Sequence, residues 1–135
     1  MSNVDIVAGM YEAFGRGDVP AVLGAMDSEI RWYEAEGNPY MPSGEPYVGP
    51  DEILNKLFMR LAEEWDGFAV HPVSYHDAGD VVVVEARYSG KYKATNKSVD
   101  AQVCHVWTLQ DGRVAKFQQY VDTAKMQDAM GASRA

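Results

Sequence analysis

Apolar residues recur at helical spacing from Val4 through Val7, Ala8 and Tyr11 to Phe14, with Ser2 or Asn3 placed to cap the start. Gly15 and Gly17 end this helix, and Asp18 caps a second, short one over Val19–Met26 with Pro20 in its first turn. Asp27 and Ser28 break it. From Glu29 to Ala35 the period drops to two, and Ile30, Trp32 and Tyr33 favour a strand. Gly37–Pro50 holds four prolines and three glycines and reads as a loop. A third helix is predicted from Asp51 to Trp65, with Ile53, Leu54, Leu57, Phe58 and Leu61 on its apolar face. Four strands follow: Phe68–His76, Asp80–Gly90, Val99–Gln110 and Arg113–Val121. The last two are joined by Asp111-Gly112, a strong hairpin signal. A closing helix spans Thr123–Met130, and Gly131–Ala135 is expected to fray.

Helices set apart from a run of antiparallel strands predict an α+β fold, not an alternating βαβ one. At 135 residues the chain suits one domain, 1–135, with a sizeable core. Three Trp, eight Tyr and four Phe exceed what a minimal core needs, and they suit either core packing or a pocket for a flat, apolar ligand. The net charge of -8 and the scattered basic residues argue against nucleic acid and anionic membranes as partners. A lone cysteine, Cys104, allows no intrachain disulfide. No basic start followed by an apolar run opens the chain, so no signal peptide is expected and a cytoplasmic setting is the default.

Several strings in this order resemble the SnoaL-like polyketide cyclase and ketosteroid isomerase-related families of the nuclear-transport-factor-2-like superfamily. They are Tyr11-x-x-Phe14 before Gly17-Asp18, Ile30-Arg31-Trp32, Tyr47-Val48-Gly49-Pro50 opening a helix, His105-Val106-Trp107-Thr108, Asp111-Gly112-Arg113-Val114 and Tyr120-Val121-Asp122-Thr123. The resemblance implies a cone: a curved, mostly antiparallel sheet wrapped around helices and enclosing a pocket. It also implies a pocket aspartate on the last strand, at Asp122, and dimerisation through the convex sheet face. Isomerases, cyclases, epoxide hydrolases and non-catalytic proteins share this fold, so it leaves the reaction open.

A two-residue turn at Asp111-Gly112 pairs Gln110 with Arg113, and register then follows by steps of two. One face holds Ala101, Val103, His105, Trp107 and Leu109 against Val114, Lys116, Gln118, Tyr120 and Asp122. Taken as the concave face, it sets His105 opposite Gln118. Asp122 in an apolar cone would have its pKa raised and suit proton transfer, or it simply caps the last helix. His105 is its partner, or a satisfied core histidine. Tyr120 and Gln118 would donate to a developing oxyanion. On the first strand Trp32 and Glu34 share a face, so Glu34 either pairs with Asp122 or is one of two solvated acids at a strand end.

The loop from Asn38 to Pro42 would be a lid, with Tyr40 and Met41 on the ligand. Trp32, Tyr33, Tyr40, Phe58, Leu61 and Trp107 would form the walls. The other face, with Cys104, Val106, Phe117 and Val121, would be the homodimer surface. His71, His76 and His105 lack metal-ligand spacing, and no nucleotide fingerprint occurs, so no metal or cofactor is expected. The expected function is acid/base chemistry on a small apolar carbonyl or epoxide compound, or its binding without catalysis.

Overall fold

A computed structural model describes residues 1–132; the expected fraying of Gly131–Ala135 falls largely outside them. Helix α1 (Asn3–Gly15) starts in a capping box. Ser2 Oγ accepts from the Asp5 amide at 3.1 Å, and the Asp5 carboxylate accepts from the Ser2 amide at 3.2 Å. Helix α2 (Val19–Gly24) is capped by Asp18, whose carboxylate accepts from the Ala21 amide. It is shorter than predicted, because β1 (Met26–Tyr33) begins at Met26. A two-residue strand, β2 (Tyr47–Val48), lies inside the segment expected to be loop and pairs antiparallel with β1.

The third predicted helix is three pieces in a row: α3 (Pro50–Ile53), a π-helical turn (Leu54–Phe58) and α4 (Met59–Glu64). The wider π turn buries the adjacent Leu57 and Phe58 together. Strands β3 (Trp65–Ala78), β4 (Val81–Tyr92), β5 (Lys97–Gln110) and β6 (Arg113–Val121) form consecutive antiparallel ladders. β1 joins β6 in parallel, giving the order β2-β1-β6-β5-β4-β3. Helix α5 (Thr123–Met130) buries Met126 and Ala129 against the sheet.

Gly90 of β4 marks a close approach. A Cβ there would lie 3.1 Å from the Phe68 Cα. Its absence lets the irregular start of β3 press Phe68 against Trp65 and Tyr88.

The β5–β6 hairpin departs from the sequence reading where it matters most. Asp111 and Gly112 have φ of 51° and 74°, the turn that a two-residue hairpin needs. Gln110 pairs with Arg113 and Leu109 with Val114, but Thr108 then pairs with Lys116. Ala115 is the extra residue of a β-bulge. One inserted residue shifts every later pair by one and exchanges the faces of β6. Trp107 therefore faces Phe117, and His105 faces Gln119 instead of Gln118. Phe117, expected on the convex dimer face, is buried on the concave side and stacks on Trp32 with centroids 3.7 Å apart.

Candidate functional site

Two apolar clusters fill the concave side of the sheet. One gathers α1, β1, the π turn and the ends of β4–β6; the other joins Trp65, Tyr88, Val99, Ala101, Val103 and α5. A cavity of about 60 Å³ draws its lining from both. Its apolar walls are Met10 and Phe14 of α1, Trp32 of β1, Leu57, Phe58 and Leu61 of the third helix, Phe68 and Val70 of β3, Trp107 of β5 and Met126 of α5. Tyr11, Glu34, Asn38, Tyr40, Tyr88, His105 and Gln119 supply the polar groups. Few polar groups in an apolar, largely buried space is the composition expected of a small-molecule site.

Glu34 follows directly after β1, which continues the alternation of Ile30 and Trp32 and turns the acid inward. It is only 7% exposed. Its Oε2 has no hydrogen-bond partner among the described residues, and neither does the Trp32 indole N–H. Burial pushes its carboxyl up to about 8; the neighbouring Trp32 indole N–H opposes the rise, although its geometry makes no hydrogen bond to the carboxyl. At neutral pH this acid keeps its proton inside an apolar chamber.

His105 is buried between two phenols. Tyr11 Oη lies 2.5 Å from Nδ1 and Tyr88 Oη lies 2.6 Å from Nε2. Trp107 Nε1–H donates to Tyr11 Oη at 2.9 Å, and Gln119 Nε2–H donates to Tyr88 Oη at 2.8 Å. Burial pushes the imidazole down to about 3, so it is neutral in any ordinary buffer. Burial also raises both phenols, Tyr88 further through the nearby Glu34. Gln119 Oε1 accepts from the Ala35 amide at 3.1 Å and from Asn38 Nδ2 at 2.8 Å. One amide side chain thus ties the loop after β1 to the tyrosine–histidine cluster.

That loop is fastened down. Asn38 Oδ1 accepts from the Tyr40 amide, Gln127 Nε2 donates to Gly37 O, and the Tyr47 hydroxyl donates to Tyr40 O. Tyr40 Oη donates to Glu64 Oε1 at 2.7 Å and accepts from Trp65 Nε1 at 2.9 Å, while Arg60 lies over its ring. The segment expected to be a lid is a plug: Tyr40 reaches the cavity, whereas Met41 is buried elsewhere.

Of the residues singled out from sequence, the structure brings Trp32, Glu34, Tyr40, Phe58, Leu61, His105 and Trp107 to the cavity. It leaves Tyr33, Gln118, Tyr120 and Asp122 outside. Asp122 is exposed, and its carboxylate accepts from the Lys125 amide at 3.2 Å as the N-cap of α5. That geometry corrects its placement in the cone and removes the Glu34–Asp122 pair. The bulge turns Gln118 and Tyr120 to the convex face, where Tyr120 is 59% exposed and Gln118 bonds to the adjacent backbone. Tyr33 shares that face, with Lys116 over its ring. Tyr11, Tyr88, Asn38 and Gln119 were missed. Tyr11 and Tyr88 lay on alternating or helical apolar faces, a signal indistinguishable from core; Gln119 was hidden by the bulge. Among the described residues no three His, Cys, Asp or Glu side chains gather as a metal-binding group. Among them too, no helix is long and apolar enough to cross a membrane.

A six-stranded curled sheet closed over helices and a mixed apolar and polar cavity defines a nuclear-transport-factor-2-like cone. The chain belongs to the SnoaL-like family, whose domain matches residues 7–117. It is similar to an NTF2-like protein from Burkholderia thailandensis, with 38% identity over 96% of this chain and 98% of that one, at a TM-score of 0.91. A second NTF2-like protein, from Burkholderia pseudomallei, is 28% identical over 98% and 100% of the two chains, at 0.86. TerC, co-crystallised with polyporic acid, shares the fold at 20% identity over 96% and 98%, at 0.83. No curated protein matches the sequence.

Proposed function

We propose that the cavity binds a small apolar molecule bearing a carbonyl or epoxide oxygen, and that Glu34 transfers a proton to it as a general acid. The observation that carries this reading is the Glu34 carboxyl: buried, unpartnered at Oε2, and held in its protonated form near neutral pH. The apolar walls would exclude water, which strengthens the interaction between the acid and a polarised oxygen. His105 and Gln119 act as positioning residues, since they hold Tyr88 from two sides. The reaction class is isomerisation, cyclisation or hydrolysis, which all need a proton placed on oxygen. That the solved structure of TerC contains polyporic acid is consistent with organic ligands in this fold.

Turnover of a panel of small ketones, enones and epoxides, followed by NMR, tests the reading. For any compound consumed, Glu34→Gln keeps the shape and a hydrogen-bond donor but removes the transferable proton. The rate falls roughly 10²–10⁴-fold. The wild-type rate holds on the acid side and falls as pH rises through about 8, where Glu34 loses its proton. A Glu34→Gln variant as fast as wild type would make the cavity a binding site without acid catalysis by this residue.

We infer also that two copies pair through the convex face. Tyr120, Cys104 and the strongly exposed Val73 line one groove there, while Val121, expected on this face, pairs with Val103 on the concave side and packs on the core. Light scattering at micromolar concentration should give the mass of a dimer, and a monomer would remove this inference.

A further inference from the structure

The hydrogen-bond arithmetic around His105 does not close within the protein. Two contacts join the imidazole to its phenols, Tyr11 Oη to Nδ1 and Tyr88 Oη to Nε2. Three protons are available for them: one on each phenol and one on the neutral imidazole. The phenol oxygens receive further protons from the Trp107 indole and the Gln119 amide, so neither outer group can take one. If Tyr11 donates to Nδ1, then Nε2–H donates to Tyr88, whose own O–H is left over. If Tyr88 donates to Nε2, then Nδ1–H donates to Tyr11, and the Tyr11 O–H is left over. Either way one phenolic proton has no acceptor among the described residues. Glu34, the nearby acid, makes no bond to either phenol, and its Oε2 is unpartnered. Both phenols line the cavity, and Tyr88 is buried.

A buried donor without an acceptor costs free energy, and a ligand oxygen would remove that cost. We infer that the ligand presents one acceptor oxygen to this cluster, and that the cluster meets it with a single donor placed at Tyr88 or at Tyr11 by exchange of the His105 tautomer. The inference rests on the reading of the cavity as a ligand site and narrows it. A hydrocarbon offers nothing to the spare proton, and an ammonium group would bring donors against a donor. A ligand with two acceptors along the cluster is served at only one of them at a time, because the second phenol is then donating to His105.

The tautomer is observable. The imidazole ¹⁵N signals of His105 are assigned through the close contacts of its ring with the rings of Tyr11 and Tyr88, and burial keeps that imidazole neutral. Cyclopentanone and methylenecyclopentane have nearly the same shape and differ in C=O against C=CH₂. Cyclopentanone should displace the His105 tautomer ratio about fivefold, the equivalent of one ordinary hydrogen bond, while methylenecyclopentane leaves it unchanged. If both compounds bind and the ratio stays fixed, or shifts equally, the spare-donor inference is overturned and the cavity reading stands. Binding of the hydrocarbon alone would overturn it equally. If neither binds, both fall together.

Discussion

Replacing Glu34 by Gln should leave a pH signature in stability that no other reading of this residue reproduces. In the folded chain burial holds the carboxyl at about 8, against an ordinary value of 4.5. Between these values the folded state keeps a proton that the unfolded chain has released, so stability falls as pH rises. The window spans about 3.5 pH units at about 1.4 kcal/mol each, giving about 5 kcal/mol in all. His105 acts in the opposite sense. Its folded value is about 3 against 6.5, so its contribution is complete above 6.5 and is lost as pH falls towards 3. From 4.5 to 6.5 the two slopes nearly cancel, and wild-type stability should be flat there from these groups. It should decline on the alkaline side through Glu34 and on the acid side through His105. Urea unfolding of wild type and Glu34→Gln at pH 5, 6, 7, 8 and 9 isolates the acid, because His105 is common to both. At pH 5, where the acid and the amide are both neutral, the two should agree within about 1 kcal/mol. The difference should then grow in favour of Gln and level off above pH 8. A pH-independent difference, or one growing in favour of Glu, would mean that Glu34 is ionised or solvated in the folded state, and the general-acid proposal would lose its basis.

Phe117→Ala, at a fully buried ring stacked on Trp32, should destabilise by about 3–5 kcal/mol in chemical denaturation, whereas Leu61→Ala, at a part-exposed cavity wall, should cost less than about 2 kcal/mol. Asp122→Asn should be silent in stability, since Asn caps a helix as well as Asp, and Asp122→Ala should cost about 1 kcal/mol; a larger loss in the Asn variant would show a role beyond the cap. Tyr88→Phe strands the Gln119 amide proton and one imidazole nitrogen, so a loss of about 1–3 kcal/mol is expected by thermal or urea unfolding, and a neutral result would mean that water replaces the phenol.

Local physics wrote much of this protein into its sequence. Helical spacing from Val4 to Phe14, the capping residues Ser2 and Asp18, and the hairpin at Asp111-Gly112 depend on neighbours a few positions apart, and each is read from those positions. The alternation that turns Trp32 and Glu34 inward is of the same kind. A π turn within a helical pattern and a two-residue strand such as Tyr47–Val48 leave no periodic trace, because each is too short to impose one. The bulge at Ala115 had the largest consequence. A single extra residue exchanged Lys116 for Phe117, Gln118 for Gln119 and Tyr120 for Val121 on the concave face, and nothing in the alternation of β6 announces it. Asp122 shows the same limit: a residue suited both to a helix cap and to a buried acid has one composition and two fates, decided by where the strand ends. The phenols on His105 come from Tyr11 and Tyr88, 94 and 17 residues away, and the side chains that enclose Glu34 come from several separate elements. The raised and lowered proton affinities of Glu34 and His105 arise from closing the sheet over them, a property of the enclosed volume that no local segment carries.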